Sequence, residues 1–370
     1  TNLIVRGTLV ADGTQDAPIV FTSFKDDTYG DDFKQDGAAT KPLPGDWGTV
    51  YFSDTSNDAD SRLNHVIIRY AGASYNFGTG TATAGLAFDS ASTTIQNTLI
   101  EKSSGYGLQL INASSPLVEN TTFLDNVNHG AWLSASSSPT FTNNTFARNN
   151  GYAVYQSASS QAVYAGNLAA GNKIDGIGVA GTLSSNVTWG NNLPYVVEGA
   201  MTLAINTTLT IQPDAVIKFA NGAEMTIQGW LLAQGTEGHP IFFTSIKDDA
   251  ISGDTNDDGY SSAPAAGNWK QIRFTNTSGN SALNYVIFRY GGSNSSTGTL
   301  FFDGGAPGTL NHLTVMGSQY RGLYCMDSSP FIDNSNFSEN AVGLYNGTSC
   351  YLSVQNSNIY ANTSYGVNNA

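Results

Sequence analysis

Two consecutive stretches decide the fold: residues 116–138, PLVENTTFLDNVNHGAWLSASSS, and residues 139–160, PTFTNNTFARNNGYAVYQSASS. They align almost residue for residue, and Asn97, Asn120 and Asn143 recur at the same spacing of 23 residues. A period of this length, with β-branched and aromatic runs between Gly, Asn and Ser, is typical of one coil of a β-solenoid. A helical repeat would need long stretches of Ala, Leu, Glu and Lys, which this sequence lacks. The sequence therefore predicts an all-β chain folded as a parallel β-solenoid with about 23 residues per coil.

The order of residues within a coil predicts which side chains form the core. The first and third residues after the glycine of each coil are apolar, and on a strand these two point to the same side. The pairs that we expect to point inward are Leu108/Leu110, Ala131/Leu133, Ile177/Val179 and Leu323/Cys325. Stacked coils also place identical residues about 4.8 Å apart, so that Asn amides can hydrogen-bond along the stack. The Asn columns predicted in this way are Asn97/Asn120/Asn143, Asn126/Asn149 and Asn340/Asn362.

A longer repeat divides the chain into two modules. The sequence of residues 4–27 recurs at 226–249, an offset of 222 residues, and both copies end in a Lys-Asp-Asp triplet before an Asp-rich loop. We expect a first module at 1–190, with its Asp-rich loop at about 25–46, and a second at 191–370, with its loop at about 247–268. The segment between the modules is apolar and strand-like, which predicts one continuous solenoid and no flexible linker.

The composition narrows the class of protein. Hydrophobic residues make up 40% of the 370 residues and charged residues only 12%, so the chain can form a packed core and is not disordered. The net charge is −14 with 15 Lys and Arg, which argues against a nucleic-acid partner. No apolar run reaches the roughly 18 residues of a membrane-spanning helix. Many Gly, Ser, Thr and Asn with few Lys, Arg and Glu are typical of extracellular β-rich proteins, so we expect a secreted or cell-surface location.

The repeat pattern resembles the right-handed parallel β-helix repeat proteins of bacterial exteriors, which share the pectate-lyase-like architecture. The segment NLPYVV at 192–197, LTIQPDAVIKFANGAEMTIQGWLLAQGT at 209–236 and the following PIFFTSIKDD carry this resemblance, which covers essentially the whole chain. It implies a right-handed parallel β-helix of the surface or adhesin type. It implies little about activity, because this fold occurs in lyases, hydrolases, adhesins and structural proteins.

The two Asp-rich loops carry the clearest chemical signal. In the second loop, DTNDDG at 254–259 places alternate oxygen donors on a tight turn that ends in Gly, as Ca²⁺ coordination requires. In the first loop Lys34 replaces Asn256, so either Lys34 neutralises the acids as an internal cation or a weaker site persists there. We expect Ca²⁺ at 248–259 and a further candidate site at 26–37; the alternative is a solvated acidic loop. The candidate ligands are Asp248, Asp249, Asp254, Asn256 and Asp258, and in the first loop Asp26, Asp27, Asp31, Asp32 and Asp36.

Outward-facing aromatic residues form the second candidate site. Rings in such columns can stack on sugars, bury area against a neighbouring chain, or simply stabilise the sheet by stacking on one another. The sequence leaves these three interpretations open. The residues concerned are Trp132 and Tyr155 in adjacent coils, Tyr324 and Tyr345 in the second module, and Tyr75 and Phe77 in an insertion that the second module lacks.

Catalysis has little support in the sequence. The chain has only four His, and acid–base chemistry on this fold would need grouped carboxylates with His, Lys or Arg. The best constellation is His129 with Asp125 and Asp175, and we name no catalytic residue. Cys325 takes an inward position, so a buried thiol is the simplest expectation, although a bridge to Cys350 one coil later stays open.

The ends of the chain suggest self-association. Solenoid ends expose unpaired strand edges unless a cap covers them, and neither end shows a cap. We therefore expect the ends to meet either neighbouring segments of a longer chain or the ends of other copies. We expect a non-enzymatic structural or adhesive surface protein, such as a head-to-tail filament or sheath subunit stabilised by Ca²⁺. The alternatives are a carbohydrate-binding or polysaccharide-cleaving β-helix protein, for which glycans would be ligands, and a passenger segment of a giant adhesin.

Overall fold

The structure, a computed structural model, describes residues 1–37, 39–78 and 80–369. Within these residues all regular secondary structure is β, and no helix has the length and apolar character needed to cross a membrane. The parallel β-solenoid predicted from the sequence is confirmed. The chain contains two compact units, Thr1–Ile177 (unit 1) and Gly178–Ala370 (unit 2), which are described separately below.

Unit 1 consists of six coils in its described residues, and each coil contributes one short strand to each of three parallel faces. Face A comprises β1, β4, β9, β12, β15 and β18; face B comprises β2, β5, β10, β13, β16 and β19; face C comprises β3, β6, β11, β14, β17 and β20, with the bounds given next. In chain order the strands are β1 Leu3–Val5, β2 Val10–Asp12, β3 Ile19–Phe21, β4 Val50–Phe52, β5 Arg62–Asn64, β6 Val66–Arg69, β7 Tyr75–Asn76, β8 Thr81–Ala82, β9 Ala84–Asp89, β10 Thr94–Gln96, β11 Leu99–Glu101, β12 Tyr106–Ile111, β13 Leu117–Glu119, β14 Thr122–Leu124, β15 Ala131–Leu133, β16 Thr140–Thr142, β17 Thr145–Ala147, β18 Tyr152–Ser157, β19 Val163–Ala165 and β20 Leu168–Ala170. Strands β7 and β8 form an antiparallel hairpin outside the three faces.

Unit 2 repeats this plan, and its faces take the letters of the equivalent faces in unit 1. The strands are β21 Ile174–Leu183, which contains the boundary between the units, then β22 Val187–Trp189, β23 Tyr195–Leu203, β24 Thr208–Ile211, β25 Val216–Phe219, β26 Glu224–Ile227, β27 Trp230–Gln234, β28 Ile241–Ser245, β29 Gln271–Thr275, β30 Ala282–Arg289, β31 Gly298–Asp303, β32 Thr309–Met316, β33 Arg321–Met326, β34 Phe331–Asp333, β35 Asn336–Ser338, β36 Val342–Asn346, β37 Ser353–Gln355, β38 Asn358–Tyr360 and β39 Tyr365–Asn369. Its face A comprises β26, β29, β31, β33, β36 and β39, paired in parallel in that order.

The core lies inside the coils and follows the predicted alternation. All eight side chains predicted to point inward after the glycine positions are fully buried. Aromatic side chains stack from coil to coil in the same way, as Phe123 does on Phe146 with ring centroids 4.8 Å apart. Each coil therefore covers the apolar face of the next, and burial of this shared face is the main source of stability.

The Asn columns divide into two kinds with different roles. Asn126, Asn149 and Asn172 are buried, and the Nδ2 groups of Asn126 and Asn149 donate to the Oδ1 of the next Asn at 2.8 and 2.7 Å. A second buried pair, Asn144 and Asn167, does the same at 3.0 Å. Asn340 and Asn362 form the predicted pair in unit 2, at 3.2 Å. These columns are hydrogen-bonded ladders as expected.

The prediction that Asn97, Asn120 and Asn143 form a hydrogen-bonded ladder was wrong, because no hydrogen bond joins their side chains in the part of the chain that the structure describes; Asn97 Nδ2 donates to Asn64 Oδ1 instead, at 2.9 Å. The registers Ile95↔Val118 and Val118↔Phe141 confirm that these coils are stacked. The three side chains are exposed at the bend between faces B and C, and their φ angles are 49°, 48° and 55°. Asn tolerates this left-handed conformation better than other non-glycine residues. The bend geometry therefore selects Asn at this position.

Cys325 and Cys350 form a disulfide, with their Cα atoms 5.8 Å apart. The simpler expectation of a buried free thiol at Cys325 was therefore wrong. The inward position of Cys325 in β33 lies close enough to the turn after β36 for the bridge to form.

Candidate functional site

The two acidic loops occupy equivalent places, and each connects a strand of face C to a strand of face A. In unit 2 the face C strand is β28, which corresponds to β3 of unit 1. The first follows β3 and leads to β4, and the second follows β28 and leads to β29. A tryptophan closes each loop: Trp47 donates through Nε1 to the carbonyl oxygen of Arg69 at 2.8 Å, and Trp269 to that of Arg289 at 2.7 Å. The 222-residue repeat thus positions two similar loops on similar supports.

Each loop brings three carboxylates together. Asp27, Asp32 and Asp36 can each place an oxygen within 4.8 Å of the other two, and so can Asp249, Asp254 and Asp258. Asp31 is not part of the first triad. Oxygens of several carboxylates at this spacing are the kind of donor set that Ca²⁺ binds.

The backbone of the two loops turns in the same way around the middle carboxylate. Asp32 accepts hydrogen bonds from the backbone N–H groups of Asp36, at 3.3 Å, and Gly37, at 2.7 Å. Asp254 accepts the corresponding bonds from Asp258 and Gly259 at the same distances. Both glycines have positive φ, 62° and 64°, which explains why Gly ends each turn.

The loops also hold oxygens that the protein leaves unbonded. Oδ1 of Asp36, Asp248, Asp249 and Asn256 is buried and has no hydrogen-bond partner within the described residues. Burial, reinforced by the neighbouring carboxylates, raises the pKa of Asp27 and of Asp249. A cation placed among these oxygens would relieve both the missing contacts and the repulsion.

Asp26 and Asp248 have a different environment from the other candidate ligands. Thr22 donates to Asp26 at 2.5 Å, and the Arg69 guanidinium lies 3.5 Å from the same carboxylate. Burial acts to raise the pKa of Asp26, but hydrogen bonds from Thr22 and Thr28 and the Arg69 charge outweigh it, so the pKa is lowered. In unit 2, Thr244 donates to Asp248 at 2.6 Å and Arg289 lies 3.6 Å away. Asp26 and Asp248 therefore anchor their loops to face C through these contacts.

Each triad has one nearby ammonium group, but the two come from different places. Lys34 lies in the first loop, and its charge opposes in part the rise in the pKa of Asp27 that burial and the neighbouring carboxylates cause. Lys218, on β25, is fully buried beneath the second loop and donates to the carbonyl oxygens of Asp248 and Gly253 at 3.1 and 2.9 Å. Burial lowers the pKa of Lys218 to about 8, and the nearby carboxylates act in the opposite direction. Three carboxylates and one ammonium leave a net charge of −2 at either triad.

Sequence reasoning missed Lys218 and the two arginines. The repeated Arg-Tyr pair at 69–70 and 289–290 was a usable signal, because a charged residue that recurs in an otherwise apolar strand needs a buried partner. Lys218 interrupts the apolar run Val216–Phe219 in the same way, but the 222-residue offset gives it no counterpart in the first module.

The aromatic residues of unit 1 form a continuous stack on the outside of face A. Trp132 stacks on Tyr106, Tyr106 on His129, and His129 on Tyr155, with centroids 5.2 to 5.4 Å apart and planes within 25° of parallel. Tyr152 meets His129 and Tyr155 edge-on. The inner rings of the stack therefore have both faces occupied by neighbours, which favours the stabilising role of this column.

The insertion in unit 1 folds back onto the protein. Hairpin β7–β8 places Tyr75 and Phe77 against Tyr51, with centroids 5.3 and 5.2 Å away. Ala82 and Ala87 complete this small apolar cluster. Tyr75 and Phe77 are therefore half-buried and used largely for internal packing.

Tyr324 and Tyr345 adjoin each other on face A of unit 2, at 5.1 Å and nearly perpendicular. Phe301 extends the column by stacking on Tyr324. The Arg321 guanidinium lies 4.2 Å from the centroid of Tyr345 and 5.3 Å from that of Tyr324. This cation–π contact holds the rings in place.

The three residues of the best catalytic constellation are engaged separately. His129 Nδ1 accepts from the backbone N–H of Tyr152 at 2.9 Å, and burial, with the charge of Lys173, lowers its pKa to about 4. Asp125 forms an ion pair with Arg148 at 2.8 Å. Asp175 accepts from the backbone N–H groups of residues 171 and 172. These contacts give each group a structural task.

The fold and the loops together define a parallel β-solenoid repeat protein with two acidic loops. Comparison with known families agrees with this class: residues 50–193 match the family described as "Right handed beta helix region". The searches of curated proteins and of solved structures gave no match.

Proposed function

We propose that this chain is a non-enzymatic, extracellular structural or adhesive β-solenoid whose two acidic loops bind Ca²⁺. The observation that carries the proposal is the presence of two equivalent carboxylate triads, each supported by the same turn around its middle Asp. The buried unbonded oxygens of Asp36, Asp249 and Asn256 add oxygen ligands that a cation would satisfy.

The charge and donor type of the loops favour a hard divalent cation. Carboxylate and amide oxygens without nitrogen or sulfur ligands suit Ca²⁺ and Mg²⁺, and the flexible geometry of a loop suits Ca²⁺ better. The internal ammonium of each loop reduces the triad charge to −2, which one divalent cation balances. Lys34 and Lys218 thus leave room for one Ca²⁺ in each loop.

Two further features support the extracellular setting. The disulfide between Cys325 and Cys350 is of a kind that persists in oxidising compartments. Loops of this type bind Ca²⁺ with dissociation constants of roughly 10⁻⁴ to 10⁻³ M in extracellular modules, where free Ca²⁺ is plentiful. We infer the non-enzymatic character from the structural engagement of His129, Asp125 and Asp175.

The test is calcium-dependent stability with matched variants. Protein freed of metal with EDTA should gain about 2.7 kcal/mol in free energy of unfolding when Ca²⁺ reaches about 100 times the dissociation constant of one site. The double variant Asp254→Asn/Asp258→Asn should lose the Ca²⁺-dependent stabilisation that the second loop contributes. The double variant Asp32→Asn/Asp36→Asn should lose the stabilisation that the first loop contributes. Asp257→Asn and Asp31→Asn are the matched controls, because each removes a charge from the same loop outside the triad.

Calorimetric titration supplies the binding constant directly. No heat at millimolar Ca²⁺, or an equal stabilisation of the triad variants and the wild type, would refute the calcium sites.

A further inference from the structure

A hairpin covers the central column of face A in unit 1, whereas in unit 2 the Arg273 guanidinium lies over the ring of Phe301, which is 7% exposed. In unit 1, Tyr51, Ala87 and Gln109 lie side by side and are at most 3% exposed beneath hairpin β7–β8. The equivalent column of unit 2 begins with Arg273 and Phe301, and no hairpin follows there in the described residues. The side chain of Arg273 is 42% exposed.

A cleft of about 420 Å³ lies beside this column, where β29 and β31 end. Arg273 and Asp303 form an ion pair on its wall. Gln228 and Asn276 add two side-chain amides, and neither amide has a hydrogen bond within the protein among the described residues. The side chain of Ile205 is 56% exposed and provides an apolar rim.

The backbone around the cleft is fixed before any ligand arrives. Thr277 donates to the carbonyl oxygen of Gln228 at 2.6 Å, and Thr275 donates to that of Ile227 at 3.2 Å. After Asp303 the chain turns through two glycines, and a side chain at Gly305 would collide with the carbonyl group of Thr275. Only Gly can make this close approach, so this wall of the cleft requires Gly at position 305.

We propose that this cleft binds a neutral saccharide. A sugar hydroxyl donates and accepts at once, and two adjacent hydroxyls match a planar group that presents two polar atoms side by side. Arg273, Asp303, Gln228 and Asn276 are all such planar groups, with donors and acceptors both represented. Convergent polar groups with one apolar side chain at the rim, in a cleft of this size, match a small ligand whose surface is mostly polar.

The charges of the cleft disfavour ionic ligands. Asp303 neutralises Arg273, so a phosphate or carboxylate would gain little from the guanidinium and would be repelled by the carboxylate. The equivalent position in unit 1 needs no ligand, because Tyr51 donates to Asp89 at 2.7 Å and the hairpin covers both the ring and its neighbours. The cleft is thus specific to unit 2 and deepens the adhesive role proposed above.

The experiment measures binding of cellohexaose, maltohexaose and mannohexaose to the whole protein by calorimetry and saturation-transfer NMR, with trigalacturonate as the acidic comparator. We expect at least one neutral hexasaccharide to saturate a single site at millimolar concentration. The double variant Gln228→Ala/Asn276→Ala should weaken it at least tenfold. Asp54→Ala, which changes the unit 1 position equivalent to Asn276, is the matched control and should leave affinity unchanged.

Three results would overturn the inference: no saturable binding of any neutral probe up to about 10 mM, equal affinity of the double variant and the wild type, or tighter binding of trigalacturonate. The titration is repeated in EDTA, because the cleft contains none of the triad residues. If the protein proved not to bind Ca²⁺, the saccharide titration would be unaffected. If no saccharide bound, the calcium titration would be unaffected.

Discussion

Replacing Asn149 with Ala tests whether the buried amide ladders hold neighbouring coils together. The Asn149 side chain accepts from Asn126 N–H at 3.1 Å and Asn126 Nδ2 at 2.8 Å, and donates to the carbonyl oxygen of Phe123 at 3.0 Å and to Asn172 Oδ1 at 2.7 Å. Asn149 is 1% exposed, so water cannot replace these four bonds without entering the core. Alanine removes all four of these bonds, while Asn126 Nδ2 keeps its bond to the carbonyl oxygen of Ile100 and Asn172 Oδ1 its bond from the backbone N–H of residue 149.

The expected loss in free energy of unfolding is about 4 kcal/mol, since each such hydrogen bond contributes about 1 kcal/mol net. This is a large fraction of the roughly 5 to 15 kcal/mol typical of folded proteins. Urea unfolding followed by far-UV circular dichroism and tryptophan fluorescence measures it. Asn150→Ala is the matched control, because Asn150 is the next residue in the chain and its side chain is exposed. This substitution should change the free energy of unfolding by less than about 0.5 kcal/mol.

The reasoning is refuted if Asn149→Ala costs no more than Asn150→Ala. Should the variant prove too unstable to purify, hydrogen exchange of the wild type gives a second measurement. The amides of Asn126 and Asn149, which bond to the side chain of the next Asn, should then be among the most protected in unit 1.

Three further predictions concern separate features. Asn120 has a φ of 48° at an exposed bend, so Asn120→Gly should be nearly neutral and Asn120→Ala should cost about 1 kcal/mol in urea unfolding; equal costs would contradict the bend role. Replacing both Cys325 and Cys350 with Ala, which opens a link across 25 residues, should lower the free energy of unfolding by about 3.5 kcal/mol in the loop-entropy account, and a loss below about 1 kcal/mol would contradict it. The pKa of His129 is about 4 in the folded protein, against about 6.5 when unfolded, so the unfolded state binds the proton first; stability should fall by up to about 3 kcal/mol from pH 6.5 downward and level off below about pH 4. His129→Gln should lack this loss, and an unchanged pH profile in that variant would disprove the assignment.

The features that the sequence could predict are those that repeat. Inward positions such as Leu110 and Leu133 follow from the alternation after each glycine, because stacked coils place equivalent residues in register. The ladder of Asn126 and Asn149 follows for the same reason. The acidic triads are partly predictable, since the aspartates cluster in sequence, but sequence alone could not separate Asp249 from Asp248.

The features that escaped prediction depend on contacts between distant, unrepeated positions. Lys218 reaches the second loop from a strand with no counterpart in the first module. Whether Cys325 pairs depends on the path of the turn that carries Cys350, which spacing does not fix. The direction in which hairpin β7–β8 folds is set by Tyr51, a single aromatic residue where the other unit has Arg273.

The longest connecting segments of each unit lie between face C and face A. Both acidic loops and the β7–β8 hairpin lie in this connection, whereas a short bend such as the one at Asn97 joins face B to face C. The strand pairing of the faces lies outside this corner, and the bonds between coils within it come from a few fixed groups, such as the Asn126 ladder and Gly72 N–H, which donates to the Gly48 carbonyl oxygen at 2.6 Å. Length added between these groups leaves the strand pairing intact, which makes the β7–β8 hairpin a practical display position for protein engineers.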